Sequence, residues 1–371
     1  MLLSTKVIPK NSRIRVLVVD DSVVIRRLVT QALEGDPQLE VVGAASNGAI
    51  ALQRVEQLSP DLITLDVEMP DMDGLQFLRH FRPKNKDVRV IMFSTLTERG
   101  ASATIDALSL GADDYVTKAS NVGSLDRSME ALRSELIPKI KQFFVFESAP
   151  KAAPVARRPI PVTPPPSGMV RAVAIGISTG GPTALGEIVP QFPADFPLPI
   201  LMVQHMPPVF TRLLAERLQT LSKLKIQEAE DGMTVEGGNL YIAPGNFHMR
   251  VKKNGLKITI ELDQSPPENS CRPAVDVLFR SVNEVYGPNV VAAVLTGMGY
   301  DGLRGVEVMK AAGTCVIAQD QATSVVWGMP GAIVNAGLAS VVLPLHGIVP
   351  EILRIARIAG APEAPLKRVL S

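Results

Sequence analysis

The sequence predicts two α/β domains, each built on a parallel sheet, joined by an extended spacer. Three observations carry that expectation. Short valine- and isoleucine-rich runs alternate with amphipathic segments in both halves of the chain, the pattern of strands buried on both faces and crossed over by helices. Between Glu147 and Met169 the chain reads S-A-P-K-A-A-P-V-A-R-R-P-I-P-V-T-P-P-P-S-G, a proline density that removes backbone donors and favours an extended, semi-rigid connection. The total of 371 residues gives room for two or three domains at roughly 150 residues each. The expected boundaries are 13–141 for the first domain, 142–169 for the spacer and 170–360 for the second domain.

In the first domain, Ile14–Asp20, Val41–Ser46, Leu62–Asp66, Val88–Ser94 and Asp114–Thr117 read as strands. Helices are expected over Ser22–Glu34, Ala49–Gln57, Gly74–Phe81, Ala101–Leu110 and Val122–Lys141. Five such units in this length suit a flavodoxin-like (βα)5 wound sheet. In the second domain, Ala172–Ser178, Ile200–His205, Val290–Thr296, Thr314–Ala318 and Ser340–Leu343 read as buried strands of a doubly wound parallel sheet. Between Lys225 and Leu262 the pattern changes. Asp231-Gly232, Gly237-Gly238-Asn239, Pro244-Gly245-Asn246 and Asn254-Gly255 are turn signals, so that stretch is expected to be a small antiparallel hairpin insertion.

Composition narrows the function classes. A formal net charge of +1 leaves no electrostatic footprint for nucleic acid or an anionic membrane. No apolar run approaches the ~20 residues of a membrane span, and the first ten residues lack a signal-peptide core. The expectation is a cytoplasmic, soluble monomer. The two cysteines, Cys271 and Cys315, stand far apart in the sequence and read as reduced thiols rather than a disulfide or a metal site.

In a wound parallel sheet, ligands bind beyond the carboxyl ends of the strands. In the first domain those ends carry Asp20-Asp21, Asp66 and Ser94, with Lys118 just past the fifth strand. Converging carboxylates repel one another unless a cation binds, and hard oxygen ligands suit Mg²⁺. A carboxylate beside Mg²⁺ can attack a phosphoryl group; Lys118 would neutralise its charge and the Ser94 hydroxyl could hydrogen-bond to it. Taken singly, an Asp-Asp pair suits a solvated helix start and Asp66 a helix cap. The motifs V-V-D-D-S (Val18–Ser22), L-D-V-E-M-P-D-M-D-G (Leu65–Gly74), Phe93-Ser94 and D-Y-V-T-K (Asp114–Lys118) together resemble response-regulator receiver domains. That resemblance implies phosphorylation of Asp66 by a histidine kinase. It also implies Mg²⁺ held by Asp21, Asp66 and the Glu68 carbonyl, with Asp20 acting through water, and a switch made by Ser94, Tyr115 and Lys118. Ala119 departs from the proline that usually follows this lysine.

In the second domain, Gly176-Ile177-Ser178-Thr179-Gly180-Gly181-Pro182 follows a strand and opens a helix. It fits the G-x-S-x-G elbow of a nucleophilic serine, and equally a glycine-rich phosphate loop, although one without the P-loop lysine. A serine needs a base, and the chain has four histidines. His80 lies on a helix of the first domain, His346 reads as a surface residue, and His248 sits in the turn-rich stretch as a candidate lining residue. His205 ends a buried strand at the same sheet edge as Ser178. Asp301 follows a third strand and suits either an orienting acid or an N-cap for the helix from Leu303. The glycines around Met298 leave backbone N–H groups able to face an oxyanion. The order Ser–His–Asp is not that of the α/β-hydrolases.

Six motifs are similar to the chemotaxis protein-glutamate methylesterase (CheB) family. They are G-I-S-T-G-G-P-T-A-L (Gly176–Leu185), Q-H-M-P (Gln204–Pro207), Y-I-A-P-G (Tyr241–Gly245), R-P-A-V-D-V-L-F-R-S (Arg272–Ser281), L-T-G-M-G-Y-D-G (Leu295–Gly302) and A-Q-D-Q-A-T-S-V-V-W-G-M-P (Ala318–Pro330). The resemblance implies Ser178 as nucleophile, His205 as base, Asp301 as orienting acid, Met298 as oxyanion donor through its backbone, and Thr179 lining the site. It implies demethylation of chemoreceptor glutamates, deamidation of glutamines, Mg²⁺ for phosphorylation and no cofactor for hydrolysis. An unphosphorylated receiver would then partly cover the hydrolase edge. The rival readings are an adaptor that binds receptors without hydrolysis and a hydrolase of small-molecule esters.

Overall fold

Twelve elements form the first half of the chain: β1 (Lys6–Ile8), β2 (Ile14–Val19), α1 (Val23–Glu34), β3 (Leu39–Ala45), α2 (Gly48–Leu58), β4 (Leu62–Asp66), α3 (Gly74–Phe81), β5 (Arg89–Ser94), α4 (Glu98–Ser109), β6 (Asp114–Thr117), α5 (Leu125–Lys141) and β7 (Phe144–Phe146). They come from a computed structural model that describes residues 6–9, 12–95, 97–118, 125–146 and 169–357. The chain divides into two compact units. In the first, five parallel strands run in the order β3-β2-β4-β5-β6. The chain leaves β2 toward β3 on one side, then returns to β4 on the other, so a crevice opens beyond the ends of β2 and β4. The core is the valine- and isoleucine-rich strand set, Val16, Val18, Ile91 and Val116, under Leu33 of α1 and Leu136 and Ile140 of α5, all buried.

The helix starts follow their caps. Ser22, Asn47, Asp73 and Thr97 each accept a backbone N–H three residues on. Thr97 explains why α4 begins at Glu98, a turn before the apolar pattern suggests. The folded unit also reaches past the expected limits of 13 and 141. Lys6–Ile8 pairs in parallel with Phe144–Phe146, so the first residues of the expected spacer form a strand. The proline-rich remainder, the start of the fifth expected helix and Ala119 lie outside the described residues.

The second unit contains β8 (Ala172–Ile177), α6 (Gly181–Ile188), β9 (Ile200–Gln204), α7 (Phe210–Leu221), β10 (Lys225–Glu228), β11 (Asn239–Ile242), β12 (His248–Asn254), β13 (Lys257–Asp263), α8 (Val275–Tyr286), β14 (Val290–Val294), α9 (Leu303–Ala311), β15 (Cys315–Gln319), α10 (Met329–Asn335), β16 (Val341–Leu343) and α11 (Leu345–Ile355). Seven parallel strands run in the order β10-β11-β9-β8-β14-β15-β16. From β8 the chain builds outward through β9 to β11 and β10, then crosses back to β14 on the other side. The reversal places a crevice beyond β8 and β14.

The stretch Lys225–Leu262 is not antiparallel throughout. Lys225–Glu228 and Asn239–Ile242 pair in parallel and extend the main sheet. The glycines at 232, 237 and 238 sit in the crossover between those strands rather than in hairpin turns. Only β12 and β13 form an antiparallel hairpin, closing at Asn254↔Lys257 around Gly255. Met249, Val251 and Ile260 of the hairpin join Val275, Leu278, Phe279 and Val282 of α8 in the core, and the Val251 N–H donates to Ser281 Oγ at 3.1 Å. That packing fixes where α8 begins, and the start of α8 supplies part of the site in this unit.

The most complete cap is at α3, where Asp73 Oδ1 accepts the Gln76 N–H at 2.7 Å and Gln76 Oε1 accepts the Asp73 N–H at 3.1 Å. Asp73→Ala should lower the stability of the first unit by about 1 kcal/mol. In urea its unfolding midpoint should fall with the slope unchanged. An unshifted midpoint would mean that the cap does not hold α3.

Candidate active site and acidic cluster

Ser178 comes directly after β8. Its N–H donates to the Thr296 carbonyl beyond β14 at 2.9 Å, and its carbonyl accepts from Gln204 Nε2 of β9 at 3.0 Å. The serine is thus clamped from both neighbouring strands. Gly180, at φ +75°, turns the chain into α6. Close approach is demanded at Gly297, where an added Cβ would lie 2.7 Å from the Ser178 Cβ and 2.5 Å from Met329 Sδ. Ile177 is wholly buried in the core.

His205 stands one residue past the β9 end, next to Ser178 by the β8–β9 register of Ile177↔Gln204, and its N–H donates to the Ile177 carbonyl at 3.2 Å. Its imidazole Nε2 contacts Asp301 Oδ2 at 2.8 Å. Asp301 is 3 % exposed. Besides His205 it accepts the N–H groups of Val275 (2.7 Å), Gly302 (2.9 Å) and Asp276 (3.1 Å) and the side-chain amide of Asn269 (2.9 Å). These donors hold its carboxyl below the usual range despite burial. The same carboxylate acts on His205. Burial opposes a charge on the ring, but Asp301 and Cys271 outweigh it and raise the imidazole above its ordinary value. Asp301 does not cap the helix from Leu303, whose N-cap is Gly302; it satisfies the first N–H groups of α8 instead.

The other imidazole nitrogen, Nδ1, lies 3.7 Å from Cys271 Sγ. No hydrogen bond joins Ser178 Oγ to His205 or to any other group among the described residues. The serine is adjacent to the histidine but not engaged by it in this state; such bonds often tighten only when substrate binds. Met298, beyond β14, is 43 % exposed, and its N–H has no partner among the described residues. Thr179 follows the serine directly in the chain. His248 is not a lining residue. It is wholly buried, with Nδ1 accepting the Ala274 N–H at 3.3 Å and Nε2 against the Pro266 carbonyl at 3.2 Å. His80 and His346 are exposed on α3 and α11.

In the first unit, Asp20, Asp21 and Asp66 place carboxylate oxygens within 4.8 Å of one another beyond β2 and β4. Lys118 Nζ bridges Asp20 (2.9 Å) and Asp66 (2.8 Å). Its backbone N–H donates to the Ser94 carbonyl, tying the ends of β5 and β6. Burial and the neighbouring Asp20 push the Asp66 carboxyl up to about 6 against the pull of Lys118. Ser94 Oγ donates to the Gly100 carbonyl at 3.0 Å and accepts from Thr104 Oγ1 at 2.7 Å. Tyr115 is buried, with Lys139 Nζ 4.9 Å from its ring centre. Glu68 is exposed and pairs with Arg99 at 3.0 Å.

Residues 173–352 match the CheB methylesterase family and residues 16–130 the response regulator receiver domain. A protein-glutamate methylesterase/protein-glutamine glutaminase of Trichodesmium erythraeum is 49% identical over 92% of this chain and 99% of its own length. One of the same name from a Nocardioides species is 53% identical over 92% of this chain and 95% of its own. The chain belongs to this family. A further member, from Paramagnetospirillum magneticum, is 42% identical over 94% of this chain and 97% of its own length.

Sequence reasoning missed two members of the hydrolase cluster. Asn269 and Cys271 come from the loop between β13 and α8, which has no strand end to mark it. Asn269 bridges Asp301 and Asp276, at 2.9 Å to each. Cys271 is a free thiol, as the sequence suggests, but in space it stands with His205 and Asp301.

The raised Asp66 carboxyl has a consequence for stability. With its ordinary value at 3.8 in the unfolded chain, the neutral acid's stabilisation is complete below about 4 and is lost as pH rises through about 6. Without divalent cations, Asp66→Asn should therefore stabilise the first unit at pH 7.5 by about 1–3 kcal/mol, and the gain should shrink toward pH 4. Thermal unfolding of both proteins in chelator at the two pH values reads this directly. A gain equal at both values would assign it to something other than the charge.

Proposed function

We propose that Ser178, His205 and Asp301 hydrolyse the methyl esters of chemoreceptor glutamates. The observation that carries this reading is the His205–Asp301 pair, with His205 next to Ser178 by the β8–β9 register near the strand where the winding of the parallel sheet reverses. With Nε2–H held by Asp301, His205 presents Nδ1 as the acceptor. It takes the Ser178 proton as Oγ bonds to the ester carbonyl carbon, and the imidazolium that forms is stabilised by the ionised Asp301. The Met298 N–H faces the oxyanion, and Thr179 lines the same pocket. Collapse breaks the bond to methanol, which leaves with the proton from His205. Water, deprotonated by the same nitrogen, then releases glutamate. A glutamine side chain takes the same course with loss of ammonia.

The receiver governs this reaction through Asp66, whose carboxylate accepts a phosphoryl group from a histidine kinase. Hard oxygen donors as close together as those of Asp20, Asp21 and Asp66 fit Mg²⁺. Asp21, Asp66 and the Glu68 carbonyl would hold it, with Asp20 acting through water, and it would supply charge neutralisation for phosphoryl transfer. Lys118 exchanges its carboxylate partners for a phosphoryl oxygen. Ser94 leaves Gly100 and Thr104 to donate to another oxygen, and Tyr115 moves with Ser94. The hydrolytic step draws on no cofactor. No helix among the described residues is long and apolar enough to cross a membrane. The protein is further proposed to be a cytoplasmic monomer.

Two experiments test these roles. Ser178→Ala should abolish methanol release from isotopically methylated receptors while leaving phosphorylation intact, and Asp301→Asn should slow release by about four orders of magnitude. A Ser178 variant that kept a tenth of normal turnover would exclude it as the nucleophile. For the coupling, a fragment beginning near Met169 should demethylate faster than the unphosphorylated full chain. The phosphorylated full chain should at least match the fragment. Equal initial rates for the fragment and the unphosphorylated chain would leave the receiver as a localisation module only.

A further inference from the structure

Cys271 takes part in no step of the hydrolysis proposed above, yet its thiol occupies a definite place. Sγ lies 3.7 Å from His205 Nδ1, while Nε2 of the same ring is held at 2.8 Å by Asp301. The donor atoms of all three side chains fall within 4.8 Å of one another. Nitrogen and sulfur ligands of one tetrahedral zinc ion lie roughly 3.6 Å apart, given bonds of about 2.0–2.1 and 2.3 Å. The thiol and the imidazole therefore stand at the separation of two ligands on a common ion. A metal-ligating histidine normally donates its other ring N–H to a carboxylate, which fixes the ring and raises its basicity. Asp301 already does this. Neither ligand is sealed off, since Cys271 is partly exposed and the His205 side chain is 13% exposed.

We propose that His205 Nδ1 and Cys271 Sγ form a site for a thiophilic divalent cation such as Zn²⁺, with Asp301 orienting the imidazole and water completing the coordination. Binding forms a metal–nitrogen and a metal–sulfur bond and releases the thiol proton to solvent; nothing is oxidised or reduced. The acidic cluster of the receiver differs in kind, having only oxygen donors, and its chemistry suits Mg²⁺. The cation at His205 would occupy the nitrogen that must take the Ser178 proton. The hydrolase would then be held off without any change in the receiver, a consequence that rests on His205 being the base of the proposed reaction.

The test uses the full chain with Mg²⁺ in excess, so that the receiver cluster is filled. Titration with Co²⁺ should give a near-ultraviolet thiolate-to-cobalt charge-transfer band that saturates at about one equivalent and is displaced by Zn²⁺. The band should persist in Cys315→Ser and disappear in Cys271→Ser. Its absence from the unsubstituted protein, or its survival in Cys271→Ser, would overturn the site. Zn²⁺ should also inhibit methanol release, reversibly by chelator, and half-inhibition should need at least tenfold more Zn²⁺ in Cys271→Ser. Equal sensitivity of the two proteins would overturn the inhibitory role. The cobalt band does not depend on catalysis, so failure of the serine mechanism and failure of the metal site give different results.

Discussion

The ionised carboxylate of Asp301 is the centre on which the hydrolase half depends. A charge this deeply buried is costly unless it is hydrogen-bonded on all sides. Here the donors come from the β9 end, the loop after β13, the start of α8 and the turn into α9. One group thus ties together three parts of the chain that are remote in sequence, around His205, residues 269–276 and residues 301–302. It also caps α8, which has no side-chain cap of its own at Ala274. The same charge makes His205 more basic. In the proposed mechanism, folding and catalysis draw on one interaction, and a substitution that spared the fold by keeping the donors satisfied would still remove the charge that its imidazolium needs.

The receiver half uses the opposite device. There three carboxylates are gathered with a single lysine to balance two of them. The result is a site left short of positive charge, and Asp66 responds with a raised carboxyl. A cluster of this kind resists ionisation alone and accepts it when a cation arrives. Ser94 and Lys118 are tied to each other through the backbone at the β5 and β6 ends. A phosphoryl group on Asp66 would draw on both, so the chemistry at one strand end reaches the neighbouring helix start through Gly100 and Thr104.

Both sites occupy the same place in their sheets, beyond the strand ends where the winding reverses. In the receiver this is the β2–β4 crevice, and in the hydrolase the β8–β14 crevice. The reversal leaves a gap that no crossover helix covers, and residues just past strand ends point into it. Asp20 and Ser178 come just past β2 and β8, Asp66 closes β4, His205 follows the neighbouring strand β9, and Asp301 lies on the connection from β14 to α9.

The sequence by itself determined the strand cores and the residues just past their ends. A short, continuous apolar run marks a buried parallel strand whatever its neighbours, so the chemistry at each strand end could be read in order along the chain. It also showed the proline-rich break between Glu147 and Met169. Tertiary structure alone decided the rest. Lys225–Glu228 and Asn239–Ile242 joined the main sheet because a free edge beside β9 accepts a parallel strand, and glycine-rich turn signals do not say which partner a strand will find. The hairpin packed on α8, brought His248 into the core and carried Asn269 to Asp301 and Cys271 to the imidazole. Whether Asp301 caps the helix after it or the helix before it depends on which unpaired N–H groups lie closest in space. Local sequence is silent on that choice, because donors from α8 become neighbours of Asp301 only once β14 has paired with β8.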